Sequence, residues 1–139
     1  MSTALRRVAA VTGAVIVAKL VSEIVKLAAE QIHPMPAGLD VTNREAVVRA
    51  LEQGQFPMIR LGLLAAGWLL AAYFGGSMAA RWGRWAPAVW FFAAIFTALV
   101  YLEMQGFPHP IWMWIAGIGG GPLFALGGGK LSISVPGPR

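Results

Sequence analysis

Cysteine is absent from the 139 residues, and charge is scarce: 11 Lys and Arg with 6 Asp and Glu make up 12% of the chain. The first absence excludes a disulfide framework, a thiolate nucleophile, an iron–sulfur cluster and a cysteine zinc site. The second excludes an ordinary soluble domain, because at about half the usual charged content too few charges remain to cover a water-facing surface. Hydrophobic residues fill the gap, at 58% of the chain and a mean hydropathy of +0.66. Disorder, collagen and a soluble enzyme are all excluded by this balance.

A membrane helix needs about 20 apolar residues, at a rise of about 1.5 Å each, to cross about 30 Å of hydrocarbon. Four runs qualify: Val8 to Ile32, Met58 to Ala80, Ala86 to Met104 and Ile111 to Gly129. Each must be helical, since backbone groups in lipid find no water to bond. The expected fold is one all-α domain over 1–139, with four transmembrane helices in a compact bundle. The connection 33–57 lies outside the spans. It opens with His33-Pro34-Met35-Pro36, where helix cannot continue, and Thr42-Asn43-Arg44-Glu45 then reads as a capping box. Ala46, Val47, Ala50 and Leu51 follow as one apolar face, which suits a short amphipathic helix at the interface.

Arg6, Arg7, Arg81, Arg84, Lys130 and Arg139 fall on the side of the termini, whereas Arg44, Arg49 and Arg60 on the other side are diluted by Asp40, Glu45 and Glu52. Lys and Arg favour the cytoplasmic side, so both termini are expected in the cytoplasm, with the chain multi-pass. The net charge of +5 is then a topology signal, and nucleic acid is not an expected partner. The start also has the outline of a signal peptide. No small-x-small site closes its apolar run, and the pattern resumes past Lys19 through Leu20, Val21 and Ile24, so span one reads as a retained anchor.

Span one carries a polar stripe. Lys19, Glu23, Lys26 and Glu30, with Ser22 at the margin, share one helical face at spacings of four, three and four residues. A charge near the bilayer centre costs at least about 2.5 to 3.5 kcal/mol, so the stripe should face protein or a wet cavity. Lys19 with Glu23 and Lys26 with Glu30 are spaced to pair. Such a set is either the equipment of a proton or ion relay or a self-cancelling structural feature. At the outer mouth His33, Glu103 and His109 are expected to gather, without the spacing of a metal site. Glu103, the only acidic residue in another span, should stay at that outer end.

Small residues form two ridges: Gly67, Ala71, Gly75 and Ala79 on span two, and Gly117, Gly121, Ala125 and Gly129 on span four. They permit close helix approach, within one bundle or between subunits. Trp82, Trp85, Trp112 and Trp114 mark membrane boundaries, while Trp68 and Trp90 fall deeper. Pro57 and Pro110, Gly67 and Gly120, and Gly75-Gly76 and Gly128-Gly129 correspond at a constant offset, as a parallel two-hairpin repeat would. No serine–histidine–aspartate arrangement, phosphate-binding loop or dinucleotide motif is present, so neither catalysis nor a cofactor is expected.

The stretches Glu23 to Gln31, His33 to Asp40, Gly67-Trp68 with Gly75-Gly76 and Ala79-Ala80-Arg81, and Pro108-His109-Pro110-Ile111-Trp112 resemble a group of small bacterial four-span membrane proteins. That resemblance implies bacterial origin and topology. It carries over no activity and no catalytic residue. Two functions are open at this point. One is an accessory or structural subunit that meets other membrane proteins or itself within the lipid bilayer, and the other is a small proton-coupled carrier or channel built on Lys19 and Glu23. A reporter fused after Arg139 should be cytoplasmic and one inserted near Gln53 external; the opposite pattern would reverse the orientation.

Overall fold

The structure is a computed structural model and describes residues 2–134. Every regular element among the described residues is helical. The chain runs through α1 (Thr3–Ile32), α2 (Arg44–Glu52), α3 (Met58–Gly83) and α4 (Pro87–Gly106). A last rod follows, made of α5 (Ile111–Trp114), a π-helical turn (Ile115–Gly120) and α6 (Gly121–Ser134). Four of these units are long and apolar enough to cross a membrane: α1, α3, α4 and the rod Ile111–Ser132. Both described chain ends therefore lie at one end of the bundle, the termini end, with α2 at the other, the far end.

Local chemistry sets the boundaries. Ser2 caps α1 by accepting from the Leu5 N–H, and Pro34 forbids its continuation past His33. Pro57 and Pro110 precede α3 and α5, and Pro87 opens α4, where a missing N–H costs nothing. Between α3 and α4 the turn is made by Arg84 in the left-handed region at φ 46. The cap of α2 differs from the expected box. Asn43, not Thr42, accepts from the Glu45 and Ala46 N–H groups at 3.1 and 3.2 Å. Thr42 is taken by Asp40, whose Oδ1 accepts from its backbone N–H and its hydroxyl at 2.9 and 2.6 Å. A local Asx turn thus competes successfully for the threonine. The polar side of α2 stays exposed while Val47 and Ala50 join the buried core.

The bundle is organised around α3, which packs along both α1 and the last rod; α4 touches all three. Small residues make this possible. A Cβ on Gly67 would run into Val25 of α1, and one on Gly75 into the ring of Phe92 of α4. Ala71 and Ala79 are fully buried on the same ridge. Against α6 the approach is backbone to backbone: a Cβ on Gly76 would meet the Ala125 carbonyl, and one on Gly128 the Tyr73 carbonyl. The Ser77 hydroxyl donates to the Gly128 carbonyl at 3.0 Å across this crossing. Both helices present a glycine three residues after the contacted residue, a reciprocal arrangement one residue out of the register at which the two halves of the sequence correspond.

The second ridge is modified by the π turn. Gly117 lies against Val100 and Trp68, Ala125 is buried, and Gly129 meets Val89. Gly121, however, meets no atom beyond its own helix within 4 Å of a built Cβ. A π turn holds an extra residue, which rotates the face that an unbroken four-residue spacing would align. Trp90 also differs from its expected interior position, being 64% exposed on the outer surface of α4, whereas Trp68 is buried at 2%.

Gly76→Ala and Gly128→Ala each drive a methyl into a neighbouring backbone that cannot rotate away, and should cost about 1–3 kcal/mol of stability in detergent. Gly121→Ala should be neutral or stabilise by about 0.5–1 kcal/mol through the gain in helix propensity. Equal thermal shifts for all three would show that the crossing is not where α3 and α6 hold together.

Candidate functional site

The charges of α1 do not pair along the stripe as spacing suggests. Lys19 Nζ lies 2.9 Å from Glu23 Oε1, the expected contact, and also 3.1 Å from Glu103 Oε2 on α4. Lys26 Nζ turns back to Glu23 Oε1 at 3.1 Å and pairs with Glu103 Oε1, not with Glu30. Two ammonium groups and two carboxylates thus alternate around a closed ring of four ion pairs. Ser22 is buried beside it and takes no part in these pairs.

Glu103 lies in the last turn of α4, at the far end, and still reaches Lys19. Contacts at the termini end explain that reach. Arg7 sits over the Trp85 ring and Gly13 against Trp82, so α1 and α4 start nearly level. With a rise of about 1.5 Å per residue, Lys19 lies about 18 Å along α1 from Arg7 and Glu103 about 24 Å along α4 from Pro87. A lysine side chain spans that difference.

Glu30 pairs with Arg60 of α3. Arg60 is buried, and its Nη1 also donates to the His33 carbonyl at 2.6 Å. Its guanidinium therefore supplies the cation that the last turn of α1 lacks, in the place where helix carbonyls attract one. This role was not anticipated for Arg60, which as a sequence feature is only a charge at a span edge. Its placement just inside an apolar run was the available signal, since a buried arginine needs a carboxylate.

Three members of the ring, Glu23, Lys26 and Glu103, face one cavity of about 400 Å³ together with this second pair. Glu23, Lys26, Glu30, Arg60 and Glu103 supply its polar side, and Phe56, Leu61, Leu64, Trp68 and Phe107 its apolar wall. Exposed Leu27 stands at the rim. His109 lines it too, its ring 5.6 Å from Trp68 and 5.3 Å from Phe107. Its Nδ1 lies 2.6 Å from the Phe107 carbonyl, which can only accept, so Nδ1 carries the proton. Burial lowers the pKa of this imidazole below the ordinary histidine value. His33 is not part of this lining: its backbone serves Arg60, and the expected grouping of His33, Glu103 and His109 reduces to the latter two. Among the described residues no three histidine, aspartate or glutamate side chains are placed to hold a metal.

Toward the termini end the bundle interior is Ala14, Ala18, Ala71, Ala72, Phe92 and Ala125, all fully buried. The carboxylates of the spans, Glu23, Glu30 and Glu103, all lie in the half of the bundle nearer α2. No family model, curated protein or solved structure matches the chain.

Glu103→Leu leaves Lys19 and Lys26 to share Glu23, one positive charge in excess, and should destabilise the protein by roughly 2–3 kcal/mol. Adding Lys26→Leu restores the neutral Lys19–Glu23 pair and should recover most of that loss. Thermal unfolding in detergent checks both, and a double variant as unstable as the single one would show that the ring is not electrostatically coupled.

Proposed function

We propose that this chain is a non-enzymatic accessory protein of the bacterial inner membrane, with both termini cytoplasmic, that holds a small zwitterionic amphiphile in its outward-opening cavity. The observation that carries the reading is the meeting of opposite charges and an aromatic wall in one space. A volume of about 400 Å³ suits a small molecule. The ion pairs also leave bonding capacity over. Glu23 uses only Oε1 toward the lysines, and each lysine spends two of its three N–H donors on carboxylates. A ligand's cation can add at Glu23 Oε2 and its anion at Lys26 without opening the ring, while its apolar part lies on Trp68 and Phe107.

A non-enzymatic role is supported by the engagement of every charged side chain that lines the cavity in an ion pair. Bacterial origin rests on the resemblance of the chain to small four-span proteins. An accessory role no longer draws on the small-residue ridges, because their tight contacts are made within the bundle. A second reading, a proton-coupled carrier, is favoured by the entry of Glu103 into the ring, which supplies the third ionisable group that a relay needs. Against it stands the alanine-rich interior beyond Lys19.

Mass measurement of the protein purified in mild detergent should find a co-purifying small molecule on the wild type. Leu64→Trp, which fills the cavity without touching a charge, should lose it. Retention by that variant would place the ligand elsewhere. Proton flux into reconstituted vesicles that Lys19→Leu with Glu23→Leu abolishes in a folded protein would replace the binding role by the carrier role.

A further inference from the structure

All six acidic residues, Glu23, Glu30, Asp40, Glu45, Glu52 and Glu103, lie in the half of the bundle nearer α2 or in its connection. Among the described residues the termini end therefore carries Arg6, Arg7, Arg81, Arg84 and Lys130 with no Asp or Glu side chain to answer them. At that end a groove of about 440 Å³ runs between α1 and α4. Arg7 stands at it, 4.6 Å over the Trp85 ring, which is itself stacked on Phe91 at 5.6 Å. The Nε atoms of Arg6 and Arg7 are buried and have no hydrogen-bond partner among the described residues. The rest of the groove is apolar apart from Thr12, with Val8, Val11, Phe91 and Ile95 as its walls, and Val8, Phe91 and Ile95 are exposed.

We propose that this groove is a binding site for one anionic glycerophospholipid, its phosphate on Arg7 and an acyl chain along Val11 and Ile95. A guanidinium is a planar fork matched to phosphate oxygens, and Trp85 fixes it in place by its ring face, so little order remains to be imposed when the headgroup arrives. The uncompensated positive charge of this end attracts an anionic headgroup over a neutral one. An apolar groove beside that charge selects a lipid over a soluble anion, because only a lipid brings a chain to fill it. The site lies at the opposite end of the α1–α4 seam from the charge ring, so its occupancy is independent of whatever the cavity holds.

The test uses the full chain, delipidated in mild detergent, with three probes: phosphatidylglycerol, phosphatidylcholine of the same chains, and inorganic phosphate. Phosphatidylglycerol should be retained at one molecule per chain in native mass measurement and should raise the unfolding temperature, and the other two should do neither. Arg7→Gln should weaken phosphatidylglycerol about fivefold, the usual effect of one basic residue at a membrane surface. Ile95→Trp, which fills the groove, should abolish retention, and Lys130→Gln, which removes an equal charge outside the groove, should leave it unchanged. Equal retention of phosphatidylcholine, or an equal shift with inorganic phosphate, overturns the proposal on wild-type protein alone. Undiminished binding by both Arg7→Gln and Ile95→Trp overturns it as well.

Discussion

An ionised group in hydrocarbon must meet its counter-charge there, and α1 carries four such groups on one face. Their formal sum is zero, but geometry does not let them settle among themselves. Glu30 is drawn to Arg60, which leaves Lys19, Glu23 and Lys26 with one positive charge over, and Glu103 cancels it. Both corrections come from other helices. The rotation and height of α1 follow: only one setting brings Lys19 and Lys26 to α4 while Glu30 reaches α3. The neighbouring face, with Ile16, Leu20 and Ile24, is exposed as a lipid-facing surface would be. A charge exchange therefore does for α1 what small residues do for α3 and α6.

The two kinds of contact leave different amounts of room. Where Gly76 and Gly128 bring backbones together, nothing fits between α3 and α6. Along α1 and α4 the helices are joined by long side chains, Lys19 and Lys26 to Glu103 toward α2, and Arg7 to Trp85 at the termini end. Long side chains hold helices apart as well as together. The charged cavity and the apolar groove both border this seam.

Much of this was legible in the residues. The four spans were found to within a few positions at most ends, because hydrocarbon thickness sets a length that composition alone reveals. The N-terminal start of α1 and the C-terminal end of the last rod were misjudged by about one turn, since helix persists past the apolar run into headgroup-level residues. The stripe on α1 was visible as period and depth. Its partners were not, because pairing between helices depends on their relative height, and spacing along one helix always suggests the local partner first. Lys26 with Glu30 was such a local suggestion, displaced by Arg60 and Glu103. Gly121 failed for a related reason: a four-residue ridge assumes an unbroken helix, and the glycine-rich stretch 115–120 relaxes into a π turn that shifts the face.

The arrangement of the ring also bears on what it can do. Each carboxylate is held by two ammonium groups and each ammonium by two carboxylates, so the four charges fix one another's positions. Mutual fixing is a poor property for a relay, whose groups must part and re-form contacts at each step, and a good one for a seat that presents the same charges to a ligand every time. The alanine-lined interior beyond Lys19 agrees, because a proton leaving the ring toward the termini end would next meet apolar methyl groups. These two features, the mutually fixed charges and the apolar interior beyond them, are what the proposed binding role draws on.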